Sequence, residues 1–136
     1  MAEASPGGRA RPLSPHIWIW RWHVTMTASI LHRATGAALY GGTLILAGWA
    51  VALASGAEAY GRYVALLSSI PGRVVLFVLM VSVFFHLANG VRHLAWDMGW
   101  GLAPPTADRT AWAAFVFAIV AAAGAWFLVA MPGPLP

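Results

Sequence analysis

The chain has 136 residues and no cysteine. It therefore cannot carry a disulfide or ligate an iron–sulfur cluster through thiolates, so any such cluster in its working assembly belongs to another chain. Charge is scarce, with 9% charged residues where a soluble domain carries about 25%. Lysine is absent, and all eight basic residues are arginines. They are dispersed along the chain instead of clustering on one solvated face, which argues against nucleic acid as a partner. There is no internal repeat, P-loop, dinucleotide-binding fingerprint, HExxH metalloprotease motif or nucleophile elbow.

Apolar residues make up 60% of the chain. Three runs, at about residues 34–54, 74–94 and 111–131, are each long enough to span a bilayer as a helix. Little sequence remains for a soluble domain. The expected architecture is all-α and membrane-embedded, with an interfacial N-terminal segment over residues 1–24 and a three-helix domain over residues 25–136. Arg9, Arg11, Arg21 and Arg33 precede the first span, and Arg92 and Arg109 flank the second connection. Only Arg62 and Arg73 lie in the first connection, so the positive-inside rule places the N-terminus inside and the C-terminus outside. Ala52-Leu53-Ala54 has the form of a signal-peptidase site, but the apolar run before it is too long and too far from the N-terminus, so no cleavage is expected.

Residues 1–15, rich in Pro, Gly, Ser and Arg, read as mobile. Between Pro15 and Trp22, Trp18, Trp20 and Trp22 alternate with other residues, which predicts a segment lying along the inner membrane surface. Ala34, Ala38 and Gly42 form a small-residue face on the first helix, and Ala114, Ala118, Ala121, Ala122 and Ala125 form another on the third. The connection through Tyr60 and Tyr63 reads as a short outer loop. Pro71 is placed to open the second helix, and Thr106 to cap the third, with Asp108 in its first turn.

Ionisable side chains within a membrane helix are expensive and call for a reason. On the second span Ser82, His86, Asn89, Gly90, His93 and Asp97 share a stripe about 100° wide. With the helix starting near Val74, His86 stands about 18 Å along it, near mid-bilayer. An imidazole there is either a metal ligand or a hydrogen-bonded link to a neighbouring helix. Gly90 and His93, one and two turns on, favour a flat metal-bearing ligand such as haem. Arg92 lies off the stripe and reads equally as a snorkelling, topology-setting arginine.

The second constellation is Ser29-Ile-Leu-His-Arg-Ala-Thr-Gly36. Ser29 and Arg33 are i,i+4 neighbours able to converge on one small polar group, with Gly36 and Tyr40 on the same face. A hydroxyl and a guanidinium beside apolar surface fit a quinone carbonyl. Snorkelling at the membrane boundary accounts for the same residues.

Arg11-Pro-Leu-Ser-Pro-His16, the Ser29–Gly36 motif and His86-Leu-Ala-Asn-Gly-Val-Arg-His-Leu-Ala-Trp-Asp97 together resemble the cytochrome b membrane anchors of succinate dehydrogenase, respiratory complex II, of the mitochondrial and alphaproteobacterial type. The resemblance covers nearly the whole chain. It implies a three-helix contribution to a heterodimeric haem-binding bundle in the bacterial or mitochondrial inner membrane. It makes His86 an axial ligand of haem b, with the other histidine supplied by a second small anchor subunit. His32, Arg33, Gly90 and His93 then belong to the haem pocket, His32 and His93 near the propionates. Ser29 and Arg33 become the ubiquinone-site pair, with Ile30 and Trp22 in its apolar wall. The family usually has tyrosine or another residue where Trp20 stands, and Trp20 is given no role. FAD and iron–sulfur clusters would reside in a flavoprotein and an iron–sulfur subunit, and no succinate chemistry would occur in this chain.

Three other readings share these residues: a haem-free anchor of the same enzyme type, a two-haem cytochrome of the ferric-reductase kind, and a proton-conducting subunit using His86 and Asp97. The two-haem reading needs paired histidines at matched depths on two helices. His32 reads as too close to the inner surface to partner His86 across one porphyrin, and the third span has no histidine.

Overall fold

A computed structural model describes residues 13–130, all of whose regular structure is helical. Residues 1–12, with Arg9 and Arg11, and residues 131–136 lie outside the described residues. Three long helices, α2 (Val24–Ala54), α4 (Ile70–Asp97) and α5 (Pro104–Ala130), are long and apolar enough to cross a membrane. Two shorter ones, α1 (His16–Ile19) and α3 (Ala57–Ser68), complete the chain. The α1 turn and the residues after it leave Trp18, Trp20 and Trp22 exposed.

The long helices pack through small side chains. On α5, Ala111, Ala114, Ala118 and Ala122 are buried at the spacing of one helical stripe and let α4 approach closely. Phe85 of α4 closes against Phe115 of α5 with ring centroids 4.9 Å apart. On α2 the contact face differs from the expected one. Ala28 and Ala52 are buried and Gly42 receives Leu79, whereas Ala34 points outward. Large apolar residues such as Leu44, Val116 and Leu128 face away from the bundle, as lipid or a partner helix requires.

The connection expected to be a short loop is the twelve-residue helix α3. Its Ala59, Tyr63 and Leu67, one turn apart, are half-buried, and it packs on α2 and α4. The Tyr63 hydroxyl donates to the Ile45 carbonyl at 2.6 Å, with its ring lying over Gly48. At the α3–α4 corner, Ser69 caps α4 by accepting from the Gly72 amide at 3.3 Å, and Pro71 occupies the first turn. The helix thus starts four residues before Val74, and His86 lies within one turn of its midpoint.

Gly72 makes this corner possible. A Cβ there would stand 2.5 Å from the carbonyl oxygens of Leu66 and Leu67. Gly72→Ala must push the α3 backbone away, and we expect about 1–3 kcal/mol of destabilisation, the scale of overpacking a tight contact. Thermal unfolding of the purified protein in detergent checks this. Gly61→Ala, where the added Cβ meets nothing within 4 Å, is the control.

Helix α5 begins at Pro104 itself, since proline lacks only an amide that a first turn leaves unpaired. Thr106 therefore sits inside the first turn, its amide bonded to the Ala103 carbonyl at 2.9 Å, and does not cap the helix. Asp108 falls beyond that turn. The preceding turn uses Gly99 and Gly101 at φ 81° and 77°, a region that side chains with a Cβ avoid. The Trp96 indole N–H donates to the Gly101 carbonyl at 3.2 Å and fixes the turn against α4.

Candidate functional site

The stripe expected on α4 divides between two neighbours. Ser82 and Asn89 are buried in the bundle, where the Ser82 hydroxyl bonds to the Val78 carbonyl and the Asn89 amide to the Phe85 carbonyl. His86 and His93 face α2 instead, and Asp97 is exposed at the helix end. The helix turns 100° per residue, so a stripe that wide can meet two partners at its two edges.

His86 is held by main chain and a hydroxyl of α2. Its Nδ1 is 3.2 Å from the His32 carbonyl oxygen and 3.4 Å from Thr35 Oγ1. A carbonyl can only accept. The Thr35 hydroxyl proton points to the main-chain carbonyls of Leu31 at 2.8 Å and His32 at 3.0 Å, so its oxygen also accepts from Nδ1. The network therefore assigns the proton to Nδ1 and leaves the Nε2 lone pair free, the state in which imidazole binds a metal. Gly36 provides room for the ring, since a Cβ there would approach His86 Cε1 to 3.1 Å. Beside Gly90, one turn on, the position a Cβ would occupy meets nothing within 4 Å.

The three histidines form one column. The His32 ring stacks on His86 with centroids 4.0 Å apart and on His93 at 5.0 Å, and Trp96 meets His93 edge-on at 5.0 Å. His93 Nδ1 donates to the Asn89 carbonyl at 2.7 Å, which again leaves Nε2 free. His32 Nδ1 is buried with no hydrogen-bonding partner among the described residues. A buried polar atom without a partner costs free energy unless something outside the chain satisfies it. The 4.0 Å stacking also shows that His32 and His86 cannot flank one porphyrin. No group of three metal-ligating side chains converges among the described residues, so the histidines do not form a site for a bare ion.

Arg92 does not snorkel. It is 8% exposed and ties α4 to α5. Its Nε donates to Thr110 Oγ1 and its Nη2 to the Ala107 carbonyl, both at 3.1 Å, while Nη1 reaches Asn89 Oδ1. Its guanidinium lies 4.7 Å from the centre of the Trp96 ring. Asn89 and Trp96, the two residues that hold His93, are thus themselves held by Arg92. The acceptors on α5 lie 15 and 18 residues away in sequence, out of reach of a single-helix reading. The signal available beforehand was Thr110, the last polar side chain before the helix turns wholly apolar.

Ser29, Ile30 and Arg33 are exposed on α2. Arg33 Nε donates to the Ser29 carbonyl at 3.4 Å, which holds the guanidinium back over the preceding turn. His32 lies between them in sequence but turns inward to the histidine column. Trp22 stands elsewhere. Its indole N–H bonds to the Thr27 hydroxyl, and it lines an apolar groove of about 380 Å³ with Val24, Thr27, Trp112 and Phe115. Ser29, Ile30 and Arg33 do not line that groove.

Residues 8–125 match the family described as the succinate dehydrogenase/fumarate reductase transmembrane subunit. The chain belongs to this family. It is 38% identical over 116 residues to the mitochondrial succinate dehydrogenase cytochrome b560 subunit of Mus musculus, covering 84% of this chain and 69% of that one. The Homo sapiens counterpart is 36% identical over 119 residues, covering 86% and 70%. The succinate dehydrogenase cytochrome b556 subunit of Rickettsia felis is 34% identical over 110 residues, covering 81% and 86%. As a member of the family, with three helices able to cross a bilayer, the chain is an integral membrane protein of the cytochrome b anchor type.

Proposed function

We propose that this chain binds haem b together with a second small anchor subunit and contributes to the ubiquinone-reducing site of a succinate:ubiquinone oxidoreductase. The observation that carries the reading is His86, with Nδ1–H tied to two acceptors of α2 and its Nε2 lone pair free. The residues around it fit the group: Gly90 leaves an open approach, and His32 offers a buried nitrogen in need of a partner. His86 would be the residue of this chain that holds the haem iron, with a residue of the second anchor subunit as the other ligand. His93 and His32 would hydrogen-bond the haem's carboxylates through their ring nitrogens. When bound, the haem supplies one-electron redox capacity within the membrane.

Ser29 and Arg33 bind the quinone head by hydrogen bonds to a carbonyl, and the fixed positive charge of Arg33 favours the negative charge that develops there on reduction. Ile30 contributes apolar wall. Trp22 can join this wall only from the far side of α2, through the groove it shares with Trp112 and Phe115. The soluble flavoprotein and iron–sulfur subunits dock on the inner face, where the arginine distribution places the N-terminus. They hold the FAD and the iron–sulfur clusters that pass electrons from succinate. The C-terminus faces the outer side.

Affinity purification through a tag on this chain tests the assembly. A flavoprotein, an iron–sulfur protein and a second histidine-bearing anchor should co-purify, and the dithionite-reduced complex should show b-type absorption. A complete assembly lacking that absorption identifies a haem-free anchor, with His86 as an interhelical link. Recovery of the chain without the soluble subunits overturns the anchor role.

A further inference from the structure

The outer end of the bundle holds a cavity that the haem and quinone reading does not use. Its volume is about 570 Å³, and it is walled by Trp49 of α2, Val64, Leu67 and Ser68 of α3, Arg73 and Leu76 of α4, and Trp126 and Val129 of α5. The size lies within the range of small-molecule sites, about 300–1,000 Å³. It arises because α3 packs on α2 and α4 but not on α5, so a gap remains beneath the short helix. Its walls are fixed: Tyr63 ties α3 to α2, Ser69 and Gly72 hold the α3–α4 corner, and Phe77 meets Trp126 edge-on at 5.4 Å.

Arg73 is the cation of this cavity. It is exposed and has no carboxylate partner among the described residues, whose ion pair is Arg62–Glu58. It sits in the first turns of α4, while Trp49 and Trp126 sit in the last turns of α2 and α5. All three therefore lie at the level where the spans end, where indoles and arginines meet lipid headgroups. Below them the walls are aliphatic and aromatic.

We propose that this cavity is a specific site for one anionic phospholipid, with the phosphate on Arg73 beside the Ser68 hydroxyl and the start of an acyl chain in the apolar cleft. Charge selects the occupant. A lone guanidinium at the rim seeks an anion, and the cleft beneath it takes hydrocarbon. A quinone carbonyl accepts a hydrogen bond, as proposed at Arg33, but only a phosphate both accepts and compensates the charge. The site would anchor the outer ends of all four helices that wall it, at the opposite end of the bundle from the histidine column.

Delipidated complex, purified with this chain at full length, is titrated with dioleoylphosphatidylglycerol, dioleoylphosphatidylcholine, dioleoylglycerol and inorganic phosphate. Native mass spectrometry counts bound lipid, and thermal unfolding follows stability. One phosphatidylglycerol should be retained per copy of this chain and raise the unfolding temperature, with phosphatidylcholine weaker and dioleoylglycerol or phosphate ineffective. Arg73→Gln should weaken phosphatidylglycerol binding by about tenfold or more, the loss of one charge-assisted hydrogen bond, while Arg73→Lys should restore most of it. Unchanged phosphatidylglycerol binding in Arg73→Gln overturns the proposal. So does equal stabilisation by dioleoylglycerol or by free phosphate, or displacement of the lipid by ubiquinone. If Arg73→Gln fails to assemble, the comparison of phosphatidylglycerol with dioleoylglycerol on the unaltered complex decides.

Discussion

His86→Ala should abolish the low-spin b-type spectrum of the assembled complex. The expectation rests on what the other histidines are doing. His32 stacks against His86 at 4.0 Å, so its ring occupies the side of His86 turned toward α2 and cannot move to replace it without dismantling the column. His93 stands two turns along α4, with its Nδ1–H committed to the Asn89 carbonyl and its ring wedged between His32 and Trp96. Neither can bring Nε2 to the position that His86 leaves. A bis-histidine iron that loses one ligand becomes five-coordinate and high-spin or is lost, so the optical and electron paramagnetic resonance signatures of a low-spin haem should disappear.

The structure also supplies a control. The contact that orients His86 comes from the main-chain carbonyl of His32, not from its ring. His32→Ala should therefore keep the axial ligand, with a shifted potential but a low-spin spectrum. Thr35→Ala removes one of two acceptors on Nδ1 and should act more mildly still, since the His32 carbonyl remains. An unchanged low-spin signal in His86→Ala excludes this residue as ligand, whatever the other variants do.

The span pattern was legible because lipid leaves only helices as a solution, so three apolar runs translate directly into α2, α4 and α5. The pairing of His86 with α2 was not. A helical wheel places His86, Asn89 and Gly90 on one stripe, yet Asn89 is buried and bonded to Phe85 and Arg92 of its own helix while His86 reaches α2, because α2 and α5 both pack on α4. Arg92 shows the same limit. Its intrahelical position allowed snorkelling, but acceptors at Ala107 and Thr110 made burial less costly than reaching for water. Helix α3 escaped notice because its amphipathic period is carried by Ala59, Tyr63 and Leu67 among glycine and charged residues. Thr106 lost its capping role because the proline pair at 104–105 opens the helix two residues earlier, the one place where proline costs little.

Arg33→Leu should lower succinate:quinone turnover by about ten- to a hundredfold, the effect of losing one charge-assisted hydrogen bond worth about 1.5–3 kcal/mol. Ser29→Ala removes a hydrogen bond between neutral groups, about 0.5–1.5 kcal/mol, and should weaken quinone binding by about tenfold at most. The geometry explains the ranking. Arg33 Nε is spent on the Ser29 carbonyl at 3.4 Å, which holds the side chain in place and keeps both Nη groups available to a carbonyl oxygen. Arg33→Lys keeps the charge but loses the Nε anchor, so turnover should recover only in part. Succinate oxidation measured with a dye that accepts electrons from the soluble subunits should be unaffected in all three variants. Haem content should also be unchanged in Ser29→Ala, whose side chain makes no contact with the histidine column. Arg33 stands beside His32, so a change in haem content with Arg33→Leu alone, at normal quinone affinity, moves Arg33 from the quinone site to the haem pocket. If all variants assemble and reduce quinone at the unaltered rate and affinity, the quinone lies elsewhere. The groove shared by Trp22, Trp112 and Phe115 is then the next place to probe, by Trp112→Ala, because it is an apolar cleft at the Val24 end of α2 whose lining excludes Ser29, Ile30 and Arg33.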